Sequence, residues 1–600
     1  MDTNVTIILP ILLPLGTAFI LPIIERIAHR LRAAVCIGAM IVSLVALLSM
    51  AGPIFNGATF VYWMGGWTPR EGLAIGISLS VDAWSLFIAL VVAFIGLMSL
   101  IYMPVYLRNE SGREPFYVLT MLLLAALIGF CLSGDLFNQF VWLEVFSVAS
   151  FALTGFHFES RGSVEAAFKY LVTNSIAAFF IVLGLTLLYM QTGALNLAHV
   201  ARDFRATPAG LVAIGLLIGG YATKAALIPW HFWLPDAHQV APTPISAIFS
   251  ATLLKVGIYA VARSIFTIMP LAQGGPIQLV LITIAIFNMI VGGIQMVQQQ
   301  SMKRLLAYSS VSQMGFVLMG LALNTPLGIA AAVLHIATHA LAKSVLFLGT
   351  GMVTWRTGIH EIREGGGLAR TMPVTFFLMS VGAMSLSGLP LLSGFVSKTL
   401  LEEAAAETGY GLLAVIAIIS SILTFIGLAR LIWGLFLHRP EGREQLEVRE
   451  APFQALLPII VLGTLSLLIG LFPSWMVEHI STPTASALLN RNNYIAEVMT
   501  DQTATIPLEE AHHPIHVPHP FDLTHWGIPA LVAIVGVAGL YLQVQRRFLQ
   551  RQAWLQPFRW LIRQIRAWHT GLINDYTLWN AFGTALILIL LLLAVRFGLI

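Results

Sequence analysis

The chain is short of charge and of cysteine. Of its 600 residues only 10% are Asp, Glu, Lys or Arg, while 58% are hydrophobic. Soluble domains carry about 25% charged residues, so a soluble globule is excluded and an all-α polytopic membrane protein is expected. The two cysteines, Cys36 and Cys131, both lie in apolar runs, which leaves neither a disulfide framework nor a thiolate-held metal or iron–sulfur site. Nucleotide fingerprints and haem-attachment motifs are also lacking. No cofactor and no metal are therefore expected, and any oxidoreductase activity would belong to an assembly containing the chain. The net charge of +4 is small, and the arginines fall between apolar runs, where they set topology rather than bind nucleic acid. The run 6–24 has no basic n-region and no small-residue cleavage site, so it reads as a retained first helix.

What is present is a series of apolar runs of bilayer length. About sixteen spans are predicted, near 5–24, 33–51, 81–104, 115–133, 136–156, 165–190, 209–230, 243–267, 276–298, 302–322, 327–353, 372–405, 410–437, 453–472, 526–544 and 577–598. Alternate connections are rich in arginine: Arg26 to Arg32, Arg108 and Arg113, Lys303 and Arg304, Arg356 to Arg370, Arg439 to Arg449, and Arg546 to Arg566. The others carry only Arg70, Arg202, Arg205 and Arg491. That asymmetry places both termini outside a cell inner (plasma) membrane. The expected organisation is 1–104 for N-terminal helices, 105–267 and 268–437 for two repeats, 438–472 for a peripheral helix, 473–525 for an outer loop, and 526–600 for C-terminal helices with an inner amphipathic segment.

Against this background, ionisable residues within the spans stand out: Glu144, Lys224, Lys255, His335, His339, Lys343 and Lys398. Each costs a few kcal/mol at hydrocarbon depth and should face protein or water. Pro229 and Pro235 follow Lys224 and break its helix, freeing carbonyls that only a buried or wet cavity satisfies. Gly388, Pro390 and Gly394 interrupt the span that leads to Lys398 in the same way. Two broken helices, near 224–235 and 386–398 and each carrying a lysine, point to an internal repeat of the kind transporters use. Glu144 needs a cation nearby, either Lys224 or a lysine of a neighbouring protein. His335, His339 and Lys343 recur every four residues and share one helical face. Burial brings a lysine's proton affinity toward neutrality and histidine passes protons there, so such a row suits proton transfer. For any one pair the alternative is a static ion pair that fixes packing.

Two long connections add less. His512, His513, His516 and His519 lie among prolines without carboxylate or thiolate partners, which favours a solvated loop over a metal site. In the stretch 543–574, Trp554, Phe558, Trp560, Leu561, Ile562, Ile565 and Trp568 alternate with Arg559, Arg563 and Arg566. That pattern reads as an amphipathic helix in the headgroup layer or as a docking helix for a neighbouring protein.

The segments SGDLFNQFVWLEVFSVASFAL, EAAFKYLVTNSIAAFFIVLGLTLLYMQTGALN, TKAALIPWHFWLPDAHQVAPTPISAIFSATLLKVGIYA, KRLLAYSSVSQMG and SGLPLLSGFVSK resemble the antiporter-like subunits of respiratory complex I and of multisubunit Mrp sodium/proton antiporters. Among these the chain looks most like the D-type member of Mrp antiporters (MrpD) and its membrane-bound hydrogenase counterparts, over residues 80–440. The resemblance implies two inverted five-helix repeats with broken seventh and twelfth helices, and a hydrophilic axis at the midplane. It also implies that Glu144 pairs with Lys224, that Lys255 is the eighth-helix lysine, and that His335, His339 and Lys343 belong to the connecting axis. Lys398 ends the twelfth-helix motif, where one complex I protein of this type has glutamate. The C-terminus departs from MrpD by adding a long loop, the amphipathic stretch and a last helix, similar to the lateral and terminal helices of the largest antiporter-like protein of complex I.

The expected function is proton translocation along Glu144, Lys224, Lys255, His335, His339, Lys343 and Lys398, within an assembly of other membrane subunits. Protons are the expected cargo, and sodium is a second candidate ion. The alternative is a membrane scaffold or energising subunit for a partner protein, as in inorganic-carbon uptake assemblies or a hydrogenase or NADH dehydrogenase complex.

Overall fold

The computed structural model describes residues 3–438, 448–500, 515–544, 560, 563–564 and 567–596. They form a multi-pass α-helical membrane protein. Among the described residues, thirteen helical segments are long and apolar enough to cross a bilayer. The first, residues 4–55, comprises two helices, Thr3–Ala28 and Arg32–Phe55, joined at His29–Leu31. Three segments have an apolar stretch wholly enclosed by the others: Thr243–Ile268, Met302–Ala322 and Pro326–Thr357. Two of these three carry the predicted Lys255 and the His335, His339 and Lys343 face, so the charges sit where protein rather than lipid surrounds them.

Two apolar stretches are interrupted where the prolines and glycines predict breaks, near 224–235 and 386–398. The helix Pro208–Lys224 stops at Lys224 and the chain resumes as Trp233–Val240, whereas the apolar run predicts one span over 209–230. The stretch 372–405 is likewise two helices, Pro373–Ser387 and Ser393–Glu407. Each interruption contains a non-glycine residue with positive φ, Ala226 at 51° and Leu391 at 68°, a conformation that costs an L-residue about 1–3 kcal/mol and persists only where the surroundings enforce it. Glycines supply that enforcement. A Cβ on Gly257 would stand 2.5 Å from the Ala225 nitrogen, and one on Gly394 would stand 1.7 Å from the Ser385 carbonyl oxygen. Backbone thus packs directly on backbone at both breaks.

Other departures lie between the spans. Residues 60–81, without any prediction, form a β-hairpin whose strands Phe60–Trp63 and Ser78–Val81 pair antiparallel with Phe60 opposite Val81. The hairpin is seated on the turn before Leu136, where Gly134 N–H donates to the Ser78 carbonyl at 2.9 Å. The stretch 473–525, predicted as a loop, contains a helical run over 473–489 and a further helix Arg491–Thr500. His516 and His519 are exposed, while His512 and His513 lie outside the described residues. Most of the Arg546 to Arg566 stretch also lies outside them, and Trp560 and Arg563 are exposed.

The C-terminal helix Ile573–Arg596 packs against Pro208–Lys224. It grips both sides of the first break. Thr223 Oγ1 donates to Asn580 Oδ1 at 3.4 Å, and the Trp230 indole lies 3.2 Å from the Asn580 carbonyl and 3.3 Å from Thr584 Oγ1.

Replacing Gly257 or Gly394 by alanine is expected to destabilise the protein by about 1–3 kcal/mol or more, because neither neighbouring backbone can retreat. Gly38, with nothing within 4 Å of an added Cβ, should tolerate alanine to within about 0.5 kcal/mol. Thermal unfolding of the three variants in detergent checks this; equal midpoints would contradict it.

Candidate functional site

The first break is built so that its freed backbone groups find partners. Ala226 N–H donates to the Thr223 carbonyl at 3.1 Å and Leu227 N–H to the Ala222 carbonyl at 2.9 Å. The Trp233 indole donates to the Thr223 carbonyl at 2.8 Å, and Ile228 N–H to Asn288 Oδ1 at 2.7 Å. Lys224 is the last helical residue before this turn and is 2% exposed. Its Nζ donates to Ser147 Oγ at 2.7 Å, between the rings of Phe146 and Phe151 at 5.6 and 6.0 Å. Glu144, one turn before Ser147 on Leu136–Thr154, acts on Lys224 through space. Its side chain is half-buried, and its Oε1 is buried with no hydrogen-bond partner.

The second break is tied by serines. Ser385 and Ser393 hydroxyls are 3.1 Å apart, Ser393 and Ser466 hydroxyls 3.1 Å, and Gly394 N–H donates to Ser385 Oγ at 3.3 Å. Ser393–Glu407 carries Lys398, whose Nζ donates to Ser421 Oγ at 3.0 Å and lies 4.5 Å from the Phe316 ring centroid. That ring is 5.5 Å from the His335 ring.

Between the two breaks runs the enclosed helix Pro326–Thr357. His335 Nδ1 lies 3.0 Å from Ser397 Oγ, next in sequence to Lys398, and its Nε2 lies 3.0 Å from Gln313 Oε1. One turn on, His339 Nδ1 is 2.5 Å from Lys255 Nζ. Lys255 also donates to the Ser250 carbonyl, and Ser250 Oγ is 2.8 Å from Ser310 Oγ. Lys343 donates to the Leu306 carbonyl at 2.8 Å and to the Ser309 hydroxyl. Lys255, His335, His339 and Lys343 are all 0% exposed. The structure therefore brings Lys255 to His339, and Lys398 to the neighbourhood of His335 through Phe316 and Ser397, with His335, His339 and Lys343 one turn apart on a single helix. It places Glu144 and Lys224 in a second group, and no hydrogen bond joins Lys224 to Lys255 among the described residues.

None of Lys224, Lys255, Lys343 and Lys398 has a carboxylate within 4.0 Å among the described residues. Their contacts are hydroxyls, carbonyls, rings and one imidazole. A contact ion pair is thus not what holds these ammonium groups. Buried polar atoms in the same region, including His339 Nε2 and Thr338 Oγ1, have no protein partner, and groups of this kind are satisfied by internal water.

Three further buried residues in this region are not among those the sequence singles out. Glu402 is 8% exposed and stands one turn after Lys398, on which its carboxylate acts; the i,i+4 spacing is its available signal. His238 is 0% exposed, has neither ring nitrogen paired, and lies in the field of Lys343, Lys303 and Lys255. Asp236 is bound by Arg304 at 3.1 Å, His569 at 3.0 Å and the Tyr576 hydroxyl at 2.7 Å. It ties the C-terminal segment to the far side of the first break. No local pattern announces contacts across more than 300 residues.

Comparison with known proteins agrees with this architecture. Residues 133–424 match the family model described as NADH:quinone oxidoreductase/Mrp antiporter, TM. The N subunit of NADH-quinone oxidoreductase from Desulforudis audaxviator is 34% identical over 79% of the chain and 97% of that protein. The D subunit of the Na(+)/H(+) antiporter from Alkalihalophilus pseudofirmus is 30% identical over 83% of the chain and 100% of that protein. In the structure of the Mrp complex from Dietzia sp. DQ12-45-1b, one chain superposes with a TM-score of 0.75 at 26% identity, covering 83% of this chain and 100% of that one. With its broken helices, its buried lysines and this extent of shared sequence, the chain belongs to the family of NADH:quinone oxidoreductase and Mrp antiporter transmembrane subunits.

Proposed function

We propose that the chain is a proton-translocating subunit of a multisubunit membrane assembly, with protons moving along Glu144, Lys224, Lys255, His335, His339, Lys343 and Lys398. The observation that carries this is the set of four buried lysines without a contacting carboxylate. A static structural lysine would be expected to hold one, because an unpaired ammonium is expensive away from water. A lysine that must gain and lose a proton is better served by hydroxyls and imidazole, which accept a hydrogen bond from the ammonium without fixing its charge.

The step at each lysine is a proton passed from one ammonium or imidazolium to the next acceptor, directly at the Lys255–His339 contact and through water elsewhere. Glu144 and Glu402 bias Lys224 and Lys398 from beyond contact distance. Two unit charges 4 Å apart interact by about 4 kcal/mol at an effective dielectric of 20, and by less when farther apart. A change of charge on a carboxylate can therefore alter a lysine's proton affinity appreciably. The duplicated arrangement, a lysine at or just beyond a break with a carboxylate at a distance, supports two inverted repeats and two half-channels meeting on the enclosed helices. The relatives are named as subunits of larger complexes, which supports other membrane subunits as partners. The arginine-rich connections support an orientation with both termini outside.

Lys224→Ala should abolish proton transport in inverted membrane vesicles while leaving the assembled complex at normal abundance; normal transport would remove Lys224 from the pathway. Glu144→Gln should slow transport at least about tenfold, with Glu144→Asp retaining part of the rate. Equal rates in both variants would show that the carboxylate plays no part.

A further inference from the structure

A second cluster of buried charge lies beside the β-hairpin, apart from the buried lysines. Asp82 ends the β-hairpin and caps Ala83–Tyr106: Ser85 N–H and Ser85 Oγ donate to its Oδ1 at 2.9 and 2.8 Å. The Arg263 guanidinium, from the enclosed Thr243–Ile268 segment, donates to the same oxygen at 2.5 Å. Asp82 is 3% exposed, and its other oxygen, Oδ2, is buried with no partner. Asp82 lines a small, partly open cavity of about 30 Å³ beside the helix Arg491–Thr500. The polar wall is completed by Thr59, Asn490, Asn493, Tyr494 and Glu497. Glu497 is 3% exposed and has no ion-pair partner within 4.0 Å among the described residues; the Thr59 hydroxyl hydrogen-bonds its carboxylate, and the charge that acts on it is that of Asp82.

The charges do not balance. Arg263 carries one positive charge against the two negative charges of Asp82 and Glu497, and the rings of Tyr259 and Tyr494 against Arg263 add none. A net charge of −1 on two buried carboxylates, one with an oxygen that has no partner, needs a counter-charge. A cavity that holds a water needs about 10–15 Å³, so this one has room for a small ion and little more. The residues of its wall carry oxygen donors, the carboxylates of Asp82 and Glu497, the Thr59 hydroxyl and the amides of Asn490 and Asn493. Hard cations take such ligands, and a single positive charge closes the balance.

We propose that Asp82, Glu497, Thr59, Asn490 and Asn493 form a binding site for one monovalent cation of sodium size beside the β-hairpin. Binding there joins the hairpin, the enclosed Thr243–Ile268 segment and the helix Arg491–Thr500 into one unit. The competitor is a proton on Glu497, whose proton affinity is raised by burial and by the Asp82 charge.

The test is thermal unfolding of the purified full-length chain in detergent, in sodium chloride or N-methylglucamine chloride at equal ionic strength, from pH 6 to 9. Sodium is expected to raise the midpoint saturably, by about 2 °C or more at saturation. Glu497→Gln, which keeps shape and removes one charge, is expected to fold and to need at least about tenfold more sodium for the same effect. Equal midpoints in the two salts at every pH would overturn the proposal, as would an unchanged sodium response in Glu497→Gln. Stabilisation by acid alone, lost in Glu497→Gln and insensitive to sodium, would show that the site holds a proton instead.

Discussion

An ammonium group held deep in a helical bundle, out of contact with any carboxylate, is the constraint from which the core follows. Insertion scales put a lysine at hydrocarbon depth at about 2.5–3.5 kcal/mol, and this chain buries four, Lys224, Lys255, Lys343 and Lys398. The cost is tolerable only where protein polar groups replace lipid. Lys255, Lys343 and the two histidines accordingly sit on segments enclosed on all sides. Lys224 and Lys398 stand at or just beyond breaks, where hydroxyls from neighbouring helices reach them.

The breaks follow from the same need. The chain leaves helical geometry at Ala226, two residues after Lys224, and at Leu391, seven residues before Lys398, and protein groups take up the backbone donors freed at the first bend. Both bends are held by the close approach of a neighbouring backbone at a glycine, Gly257 in one case and Gly394 in the other. The first bend is held a second time from outside, by Asn580 and Thr584 of the C-terminal helix and by the Asp236–His569–Tyr576 cluster. A break that positions a charge must not drift, and a displacement of about 1 Å can cost two orders of magnitude in a transfer step.

How much of this is legible in the sequence depends on range. Apolar runs of bilayer length, prolines after Lys224 and glycines before Lys398 are local signals. They locate the helices and the two broken spans, 372–405 being interrupted between Ser387 and Ser393, within the break expected near 386–398. His335, His339 and Lys343 are readable as one face because the period of a helix fixes it. The hairpin over 60–81 escapes because strands of four residues between long apolar runs carry almost no periodicity. The helices within 473–500 escape because their polar sequence gives no helical stripe, although prolines at 473 and 483 open first turns there. Glu402 and His238 escape because they stand toward helix ends, where a charge is unremarkable in sequence and only packing shows that it is buried.

The central claim, that the buried ionisable groups form one continuous wet path, is tested most directly by cryo-electron microscopy of the native assembly at a resolution that shows ordered water. The account predicts water bridging Glu144 and Lys224 to Lys255, and His335 to Lys398 along the enclosed helices, with no bridge longer than a few hydrogen bonds. Dry packing between Lys224 and Lys255, with apolar side chains filling the space in every state of the assembly, would contradict it.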